Sequence, residues 1–270
     1  MGRFSGAGQA VKLLEDAKAY IGALPNTYEC TLVIPWSRST SAMSPDRLTE
    51  YAKTVIPQRL IQFTVFTLVK TYHFVDGYLT GMKAGNPFVL FAMARSQIEL
   101  LAAAYAPASI IRSLTSSDPN EGSVSRVDRA LVKFLYGNRA DLFGKFEDVT
   151  RDISSIPATA KEDWTAANIL TLIEKASKKP EFATLRRDYE QLCEYLHPNL
   201  LSNFCLADAF LRSGHTWIRI HRRDEFVTSR GARATVEMMA EWTDATINVV
   251  NSIAQWPFGV GELERPGDSQ

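Results

Sequence analysis

Cysteine is scarce and irregularly placed in this chain of 270 residues. Cys30, Cys193 and Cys205 are an odd number of cysteines, and they lack the paired spacing of zinc sites. A disulfide framework is therefore not expected, and the sequence is typical of a reduced, cytoplasmic protein. P-loop, H-E-x-x-H and G-x-S-x-G patterns are also missing, so we predict no metal site and no cofactor.

An excess of either charge is lacking as well. Thirty Lys and Arg residues balance thirty Asp and Glu residues, so no net field attracts nucleic acid or anionic lipid. Apolar runs that could span a bilayer are missing: Leu60–Val69 is too short, and Phe88–Ala106 is interrupted by Arg95 and Glu99. The first residues lack the apolar core of a secretory signal. We predict no membrane association.

What the sequence does contain is helical periodicity along most of its length. Ser44 and Pro45 form a favourable helix start, and Pro57 is expected to kink or divide the helix that follows. We predict an all-α protein, a bundle of about seven helices. The predicted helices are Ala10–Ala23, Ser44–Lys83 in one or two parts, Phe88–Tyr105, Arg126–Lys145, Lys161–Ala176, Phe182–His197 and Ala232–Ala254.

Three segments depart from helical periodicity. Cys30–Trp36 is rich in β-branched and aromatic residues and predicts an isolated strand, whereas Thr115–Ser125 is a predicted loop. Trp217–Val227 predicts a small β-ribbon near 217–227. We see no sharp compositional break, so residues 1–256 are predicted to form a single helical domain and residues 257–270 a mobile tail.

Arg95 and Glu99 are the first candidate site residues, because they lie in the most apolar predicted helix. A buried charge without a partner is costly, so we expect both side chains to be mostly buried and paired. They are four residues apart and share a face, but in the less favourable order for an intrahelical pair. At least one partner is therefore expected on another helix. The alternative to a functional site is a buried polar clamp.

His197 is the second candidate, at the end of the segment Tyr189–Asn199. Pro198 disfavours helical geometry at His197, which is therefore expected to end its helix. Histidine suits acid–base work near neutral pH, although a helix C-cap or a packing role is the alternative. We expect this helix to pack against Phe88–Tyr105 and to bring its polar end within reach of Arg95 or Glu99.

The stretch Asn168–Asn199 carries an LT-I-K helix and then a helix that ends in Y-x-x-L-x-x-Y-x-HPN. Together with the earlier RSQIE at Arg95–Glu99, it resembles a block of bacterial helical proteins that are similar to the HEPN group. That group includes metal-independent RNases of toxin–antitoxin and phage-defence systems. The nuclease members have an Arg, a polar residue and a His close together, whereas here His197 follows Arg187-Asp188 at a gap of nine.

The resemblance implies an RNA-directed toxin or defence effector. In it His197 would move a proton and Arg95 would stabilise charge on phosphate, while Glu99, Tyr195 and Asn199 would orient them. The partners implied are RNA or a regulatory protein, and a homodimer is left open. The alternative is a non-catalytic helical interaction or scaffold module, which the zero net charge and the wide Arg–His gap favour.

A basic cluster on the predicted ribbon is the candidate nucleic-acid-binding surface. Arg219 and His221 would share one face of a strand with Arg223, where they could contact phosphates. The alternative is a strand edge protected from aggregation by charge. The predicted nucleic-acid-binding residues are Arg219, His221, Arg222 and Arg223.

Overall fold

Helices make up nearly all of the chain that the structure, a computed structural model, describes. It describes residues 6–24, 44–114, 121–136, 168–197, 207–212, 215–220 and 230–255. The α-helices in these ranges are α1 (Ala7–Gly22), α2 (Pro45–Lys83), α3 (Pro87–Leu114), α4 (Glu121–Tyr136), α5 (Ile169–Ser177), α6 (Leu185–Leu196) and α7 (Arg230–Asn251). The all-α prediction is confirmed, with seven helices in the described part of the chain.

Helix α2 runs without interruption through Pro57, so Pro57 does not divide the helix, and the alternative of a kink there stays a prediction. Proline removes one backbone hydrogen bond, and its ring crowds the preceding turn. The side chains beside it, Ile56 and Leu60, are fully buried. Burial of such side chains contributes a few kcal/mol each, on the order of the penalty for an interior proline. Packing therefore maintains the helix across Pro57.

The predicted loop Thr115–Ser125 is wrong in its second half, because α4 already begins at Glu121. Polar and small residues in a first helical turn have the same composition as a loop.

The predicted strand Cys30–Trp36 and the predicted tail, residues 257–270, lie outside the described residues. Helix α3 is longer than predicted and continues through Pro107 to Leu114.

Two antiparallel strands, β1 (Ala207–Arg212) and β2 (His215–Ile220), form a hairpin. Its second strand overlaps only the start of the ribbon predicted near 217–227, and residues 221–229 lie outside the described ranges. The ribbon over 217–227 therefore stays a prediction. The single domain over 1–256 also stays a prediction.

The chain divides into two compact units, each built from three separate segments. The first unit comprises Met1–Leu24, Leu68–Leu101 and Ile173–Ile247. In it, helices α2 and α3 approach closely: a Cβ on Gly77 would lie 2.8 Å from Sδ of Met93, and one on Gly81 would lie 2.8 Å from Cγ1 of Val89. A side chain larger than glycine at either position would therefore displace the Met93 or Val89 side chain.

The core of the first unit draws on each of its helices. Helix α1 contributes a continuous apolar face, and α6 contributes a stripe at helical spacing. Among the residues whose burial is described, Trp242 of α7 is the largest fully buried side chain. The main buried residues are Ala10, Leu14, Ala17, Ile21, Val75, Leu90, Phe91, Ala94, Ile98, Leu101, Leu185, Leu192, Met239 and Trp242.

The second unit comprises Pro25–Thr67, Ala102–Leu172 and Asn248–Gln270. The rings of Phe63 and Phe134 meet edge to face in its core, with centroids 4.6 Å apart. Beside them the guanidinium of Arg59 contacts the carboxylate of Asp128, and the Arg59 side chain is fully buried. This unit therefore contains a buried ion pair that joins α2 to α4.

The span Pro87–Ser113 of α3 is long and apolar enough to cross a membrane, judged by length and composition. Within the protein, 56% of its most apolar window is buried. A core helix has the same composition, since it buries apolar side chains against its neighbours. The predicted absence of membrane association stays a prediction.

Candidate functional site

Helices α3 and α6 pack against each other, as the sequence predicts. The ring of Phe91 stacks on that of Tyr195 with centroids 4.6 Å apart, and Nη2 of Arg95 donates a hydrogen bond to the hydroxyl of Tyr189 at 3.1 Å. Later residues of α6 thus meet earlier residues of α3. The two helices are antiparallel.

Three side chains form what we call the polar cluster: Arg95, Glu99 and Tyr189. Nε of Arg95 donates to Oε1 of Glu99 at 3.0 Å, and the Tyr189 hydroxyl donates to the same oxygen at 3.1 Å. The guanidinium carbon of Arg95 also lies 5.2 Å from the centre of the Tyr189 ring. The expected partner on another helix is confirmed, and it is Tyr189.

The polar cluster is reachable from solvent. The side chains of Arg95 and Glu99 are each 33% exposed, so the prediction that both are mostly buried is wrong. They lie on the flank of α3, beside the fully buried Ala94 and Ile98. Only Tyr189 is buried, and its hydroxyl faces the pair. A helix that is apolar on most sides still has a flank where charged groups reach water.

Two hydrogen-bonding groups of the cluster make no hydrogen bond within the described part of the chain. Among the described residues, none bonds to Nη1 of Arg95, and none bonds to Oε2 of Glu99. Both contacts of Glu99 use its other oxygen. The cluster therefore holds a guanidinium with donors to spare beside a carboxylate with a spare acceptor.

The cluster environment controls the protonation of its members. Burial first, and then the negative charges of Glu99 and Cys193, raises the pKa of Tyr189 to about 12. Burial tends to lower the pKa of Arg95, but the charges and hydrogen bonds of Cys193, Glu99 and Tyr189 outweigh it and leave the pKa raised. Near neutral pH, Tyr189 is thus a neutral donor and Arg95 a cation.

His197 caps the C-terminus of α6, where the sequence predicts it. Its backbone is extended, with φ −74° and ψ 147°, as expected before a proline, and its N–H donates to the carbonyl of Cys193 at 2.9 Å. The imidazole is exposed, and no hydrogen bond or ion pair joins it to Arg95 or Glu99. His197 follows Tyr189 by eight residues, which is about 12 Å along the helix axis. Because the helices are antiparallel, it lies toward the N-terminal end of α3.

The remaining predicted site residues are located only in part. Tyr195 is half-buried and stacks on Phe91, one helical turn before Arg95. Asn199, His221, Arg222 and Arg223 lie outside the described residues. Arg219 is in β2, opposite Asp208 of β1 in the strand register.

Tyr189 belongs to the cluster, although the sequence indicates it only as a core residue. The signal that identifies it is chemical: a tyrosine in an apolar seam needs a partner for its hydroxyl. Arg187, the arginine nearest to His197 in the motif, instead pairs with Asp188 at 2.9 Å. This ion pair of Arg187 is therefore with Asp188 and not with a residue of the polar cluster.

We expect Tyr189→Phe to lower the free energy of unfolding by about 1 kcal/mol at pH 7, since it removes the hydroxyl that bonds Arg95 and Glu99. Urea unfolding of both proteins measures this difference. Phenylalanine has a ring of almost the same size as tyrosine, so the packing around residue 189 should be preserved. A change of several kcal/mol would contradict the prediction, because it would mean that the ring itself is displaced.

The same pair of proteins is expected to differ in pH dependence. The ordinary pKa of a tyrosine side chain is 10.0, whereas the pKa of Tyr189 in the folded protein is about 12. Between these values the unfolded chain has already released the proton that the folded chain still holds, so the stability of wild type falls as pH rises. Tyr189→Phe lacks this contribution. The advantage of wild type over Tyr189→Phe should therefore shrink between pH 10 and pH 12 in urea titrations.

No group of three or more His, Cys, Asp or Glu side chains that could hold a metal ion occurs among the described residues. Comparisons with protein-family models, with curated proteins and with solved structures found no match to this chain.

Proposed function

We propose that this chain is an RNA-directed effector with metal-independent RNase-type chemistry, in the manner of the HEPN group that it resembles. The observation that carries the proposal is the exposure of the polar cluster to solvent. Arg95 and Glu99 are each one-third exposed, and no described residue bonds to Nη1 of Arg95 or Oε2 of Glu99. A clamp that served packing alone would bury both side chains.

The reaction proposed is transfer of a phosphodiester from the 5′ oxygen to the neighbouring 2′ oxygen. The free oxygen of Glu99 takes the proton of the 2′-hydroxyl as the bond from O2′ to phosphorus forms. The bond from phosphorus to O5′ breaks, and water supplies a proton to the leaving oxygen. The free N–H groups of Arg95 stabilise the charge that develops on the phosphoryl oxygens.

Glu99 suits the role of base better than His197 in this proposal. The carboxylate is adjacent to Arg95, whereas the imidazole is on the order of 12 Å further along α6. Tyr189 holds the carboxylate in place by donating to Oε1, and Oε2 is the oxygen that would act as the base. Tyr195 and Asn199 retain the orienting roles that the resemblance implies, and the basic residues Arg219–Arg223 of the proposed ribbon would contact further phosphates.

We expect Glu99→Gln to lower the rate of RNA cleavage by at least about 100-fold. The amide carbonyl still accepts from Arg95 and Tyr189, so the fold should persist and the melting temperature should change by only a few degrees. The measurement is cleavage of a fluorescently labelled single-stranded RNA in the presence of EDTA, with thermal melting of the same samples. Glu190→Gln, which alters a carboxylate on the exposed face of α6, is the matched control.

His197→Ala decides which residue moves the proton. If Glu99 is the base, His197→Ala should keep its cleavage rate within a few-fold of wild type. Loss of cleavage in His197→Ala with full activity in Glu99→Gln would return the role to the histidine. Wild-type protein that leaves RNA intact would overturn the RNA proposal.

A second function, a non-catalytic helical interaction module, is favoured by a different observation. Glu99 already pairs with Arg95, and a neutralised pair attracts phosphate less strongly than a free arginine. Under this function the cluster fixes the register of α3 against α6. Arg95→Met would then lower the melting temperature while binding of the full chain to RNA, measured by fluorescence anisotropy, would be undetectable for both proteins.

A further inference from the structure

A groove of about 570 Å³ lies between α1 and the C-terminal half of α2, away from the polar cluster. Its volume is within the usual range for small-molecule sites. One face of each helix lines it, as the helical spacing of the lining residues shows. They are Glu15, Lys18, Ala19, Gly22 and Ala23 on one side, and Tyr72, Asp76, Leu79, Thr80 and Lys83 on the other.

The contacts across the groove show in which direction α1 and α2 run past each other. Nζ of Lys18 lies 2.5 Å from a carboxylate oxygen of Asp76, and a Cβ on Gly22 would lie 3.3 Å from the ring of Tyr72. Later residues of α1 thus meet earlier residues of α2, so these helices are antiparallel. The groove has a charged end at Glu15, Thr80 and Lys83, and an aromatic end at Tyr72.

Its charges are balanced but not all paired. Lys18 and Asp76 satisfy each other near the middle of the groove. Glu15 and Lys83 line the same end, and neither makes a hydrogen bond or ion pair to another described residue. From the helical rise they are about 6 Å apart along the groove, because Glu15 is one turn beyond Lys18 and Lys83 two turns beyond Asp76.

The other end is small and apolar. Ala19 and Ala23 are small, and Gly22 lies against the ring of Tyr72 on the opposite wall, whereas Leu79 lies next to Thr80, nearer the charged end. Nζ of Lys18 lies 5.8 Å from the centre of that ring. Such a wall suits an aliphatic or aromatic group, whose burial would remove apolar surface from water.

We infer that this groove binds a small zwitterion with an apolar side chain, of the size and chemistry of a free α-amino acid. Its ammonium pairs with Glu15, its carboxylate pairs with Lys83 and Thr80, and its side chain lies along Leu79 toward Tyr72. Two cations and two anions in the lining leave no net charge to match a ligand of one sign. The inference is independent of the proposed function, because it uses none of the residues of the polar cluster.

The test is isothermal titration calorimetry of the full chain at pH 7 with L-leucine, L-methionine and L-phenylalanine. At least one should bind saturably. For leucine the single-charge counterparts are 4-methylpentanoate, which lacks the ammonium, and 3-methylbutylamine, which lacks the carboxylate. Each counterpart should bind at least about tenfold more weakly, because one charged hydrogen-bonding group is lost.

Variants locate the site. Ala19→Leu fills the groove from an exposed position and should abolish binding, while circular dichroism reports an unchanged helix content. Glu15→Gln and Lys83→Gln should each weaken binding about tenfold. Lys178→Gln, which removes an equally exposed cation outside the groove, should bind like wild type.

Three outcomes would overturn the inference: no saturable binding of any of the three amino acids, binding that survives Ala19→Leu, or equal binding of 4-methylpentanoate. The last would show an anion site instead of a zwitterion site. None of these measurements involves RNA cleavage. A negative result here would therefore not contradict the proposed function, and a negative RNA result would not contradict this inference.

Discussion

Asp128→Ala is expected to lower the free energy of unfolding by about 3–5 kcal/mol. The variant leaves the guanidinium of Arg59 buried without its counter-charge, and that side chain has no exposure to water. A typical domain is stable by only about 5–15 kcal/mol, so the loss removes a large share of the total. Urea unfolding of purified protein at 25 °C measures the difference.

A double variant distinguishes the effect of losing the ion pair from the effect of leaving one buried charge unpaired. Arg59→Met with Asp128→Leu replaces both charges by apolar groups of similar length, and we expect it to recover most of the lost stability. In contrast, Asp16→Ala, which breaks the exposed pair with Lys12, should produce no measurable change. If Asp128→Ala and Asp16→Ala unfolded at the same urea concentration, the Arg59–Asp128 contact would be unimportant.

The location of this buried pair illustrates how far sequence patterns can be taken. Apolar composition around Arg95 and Glu99 predicts burial there, yet within the described ranges the buried pair is Arg59–Asp128. Hydropathy measures one helix at a time. Burial depends on which neighbouring helix covers each face of a helix. Helix α4 covers Arg59, whereas the flank of α3 that holds Arg95 remains open to solvent. That information is not present in the periodicity of either helix.

The candidate site could be predicted in its parts more readily than in its arrangement. Helical spacing indicates that Arg95 and Glu99 share a face, and the strongest apolar seams indicate that α3 meets α6. The direction in which α6 crosses α3 decides which of its residues reaches Arg95. The antiparallel packing brings Tyr189 there and leaves His197 at the other end of the contact.

Helix existence was predictable because apolar periodicity extends over many turns, whereas helix ends depend on a few residues. Pro57 lies within a helix that packing holds together, and the polar residues from Glu121 onward form a first turn instead of a loop. In both places the local preference is worth about 1–3 kcal/mol, which tertiary packing can exceed.

Trp242→Ala is the second change expected to have a large effect, with a loss of about 3–5 kcal/mol in the free energy of unfolding. Trp242 is 1% exposed, and its ring centre lies 6.4 Å from that of Phe182. Truncation removes a fully buried tryptophan side chain and leaves a cavity that its neighbours fill only partly. Tyr20→Ala, at an exposed aromatic on α1, should change stability by no more than about 0.5 kcal/mol.

Trp242→Phe distinguishes the ring from its N–H group. The indole nitrogen is buried, and no described residue accepts its hydrogen bond, so wild type already carries the penalty of an unpaired donor. Phenylalanine removes that donor but leaves a small cavity, and the two effects oppose each other. We therefore expect Trp242→Phe to lie within about 1 kcal/mol of wild type in the same urea titrations. A loss as large as that of Trp242→Ala would contradict this prediction, because release of the buried N–H group would then not offset the cavity.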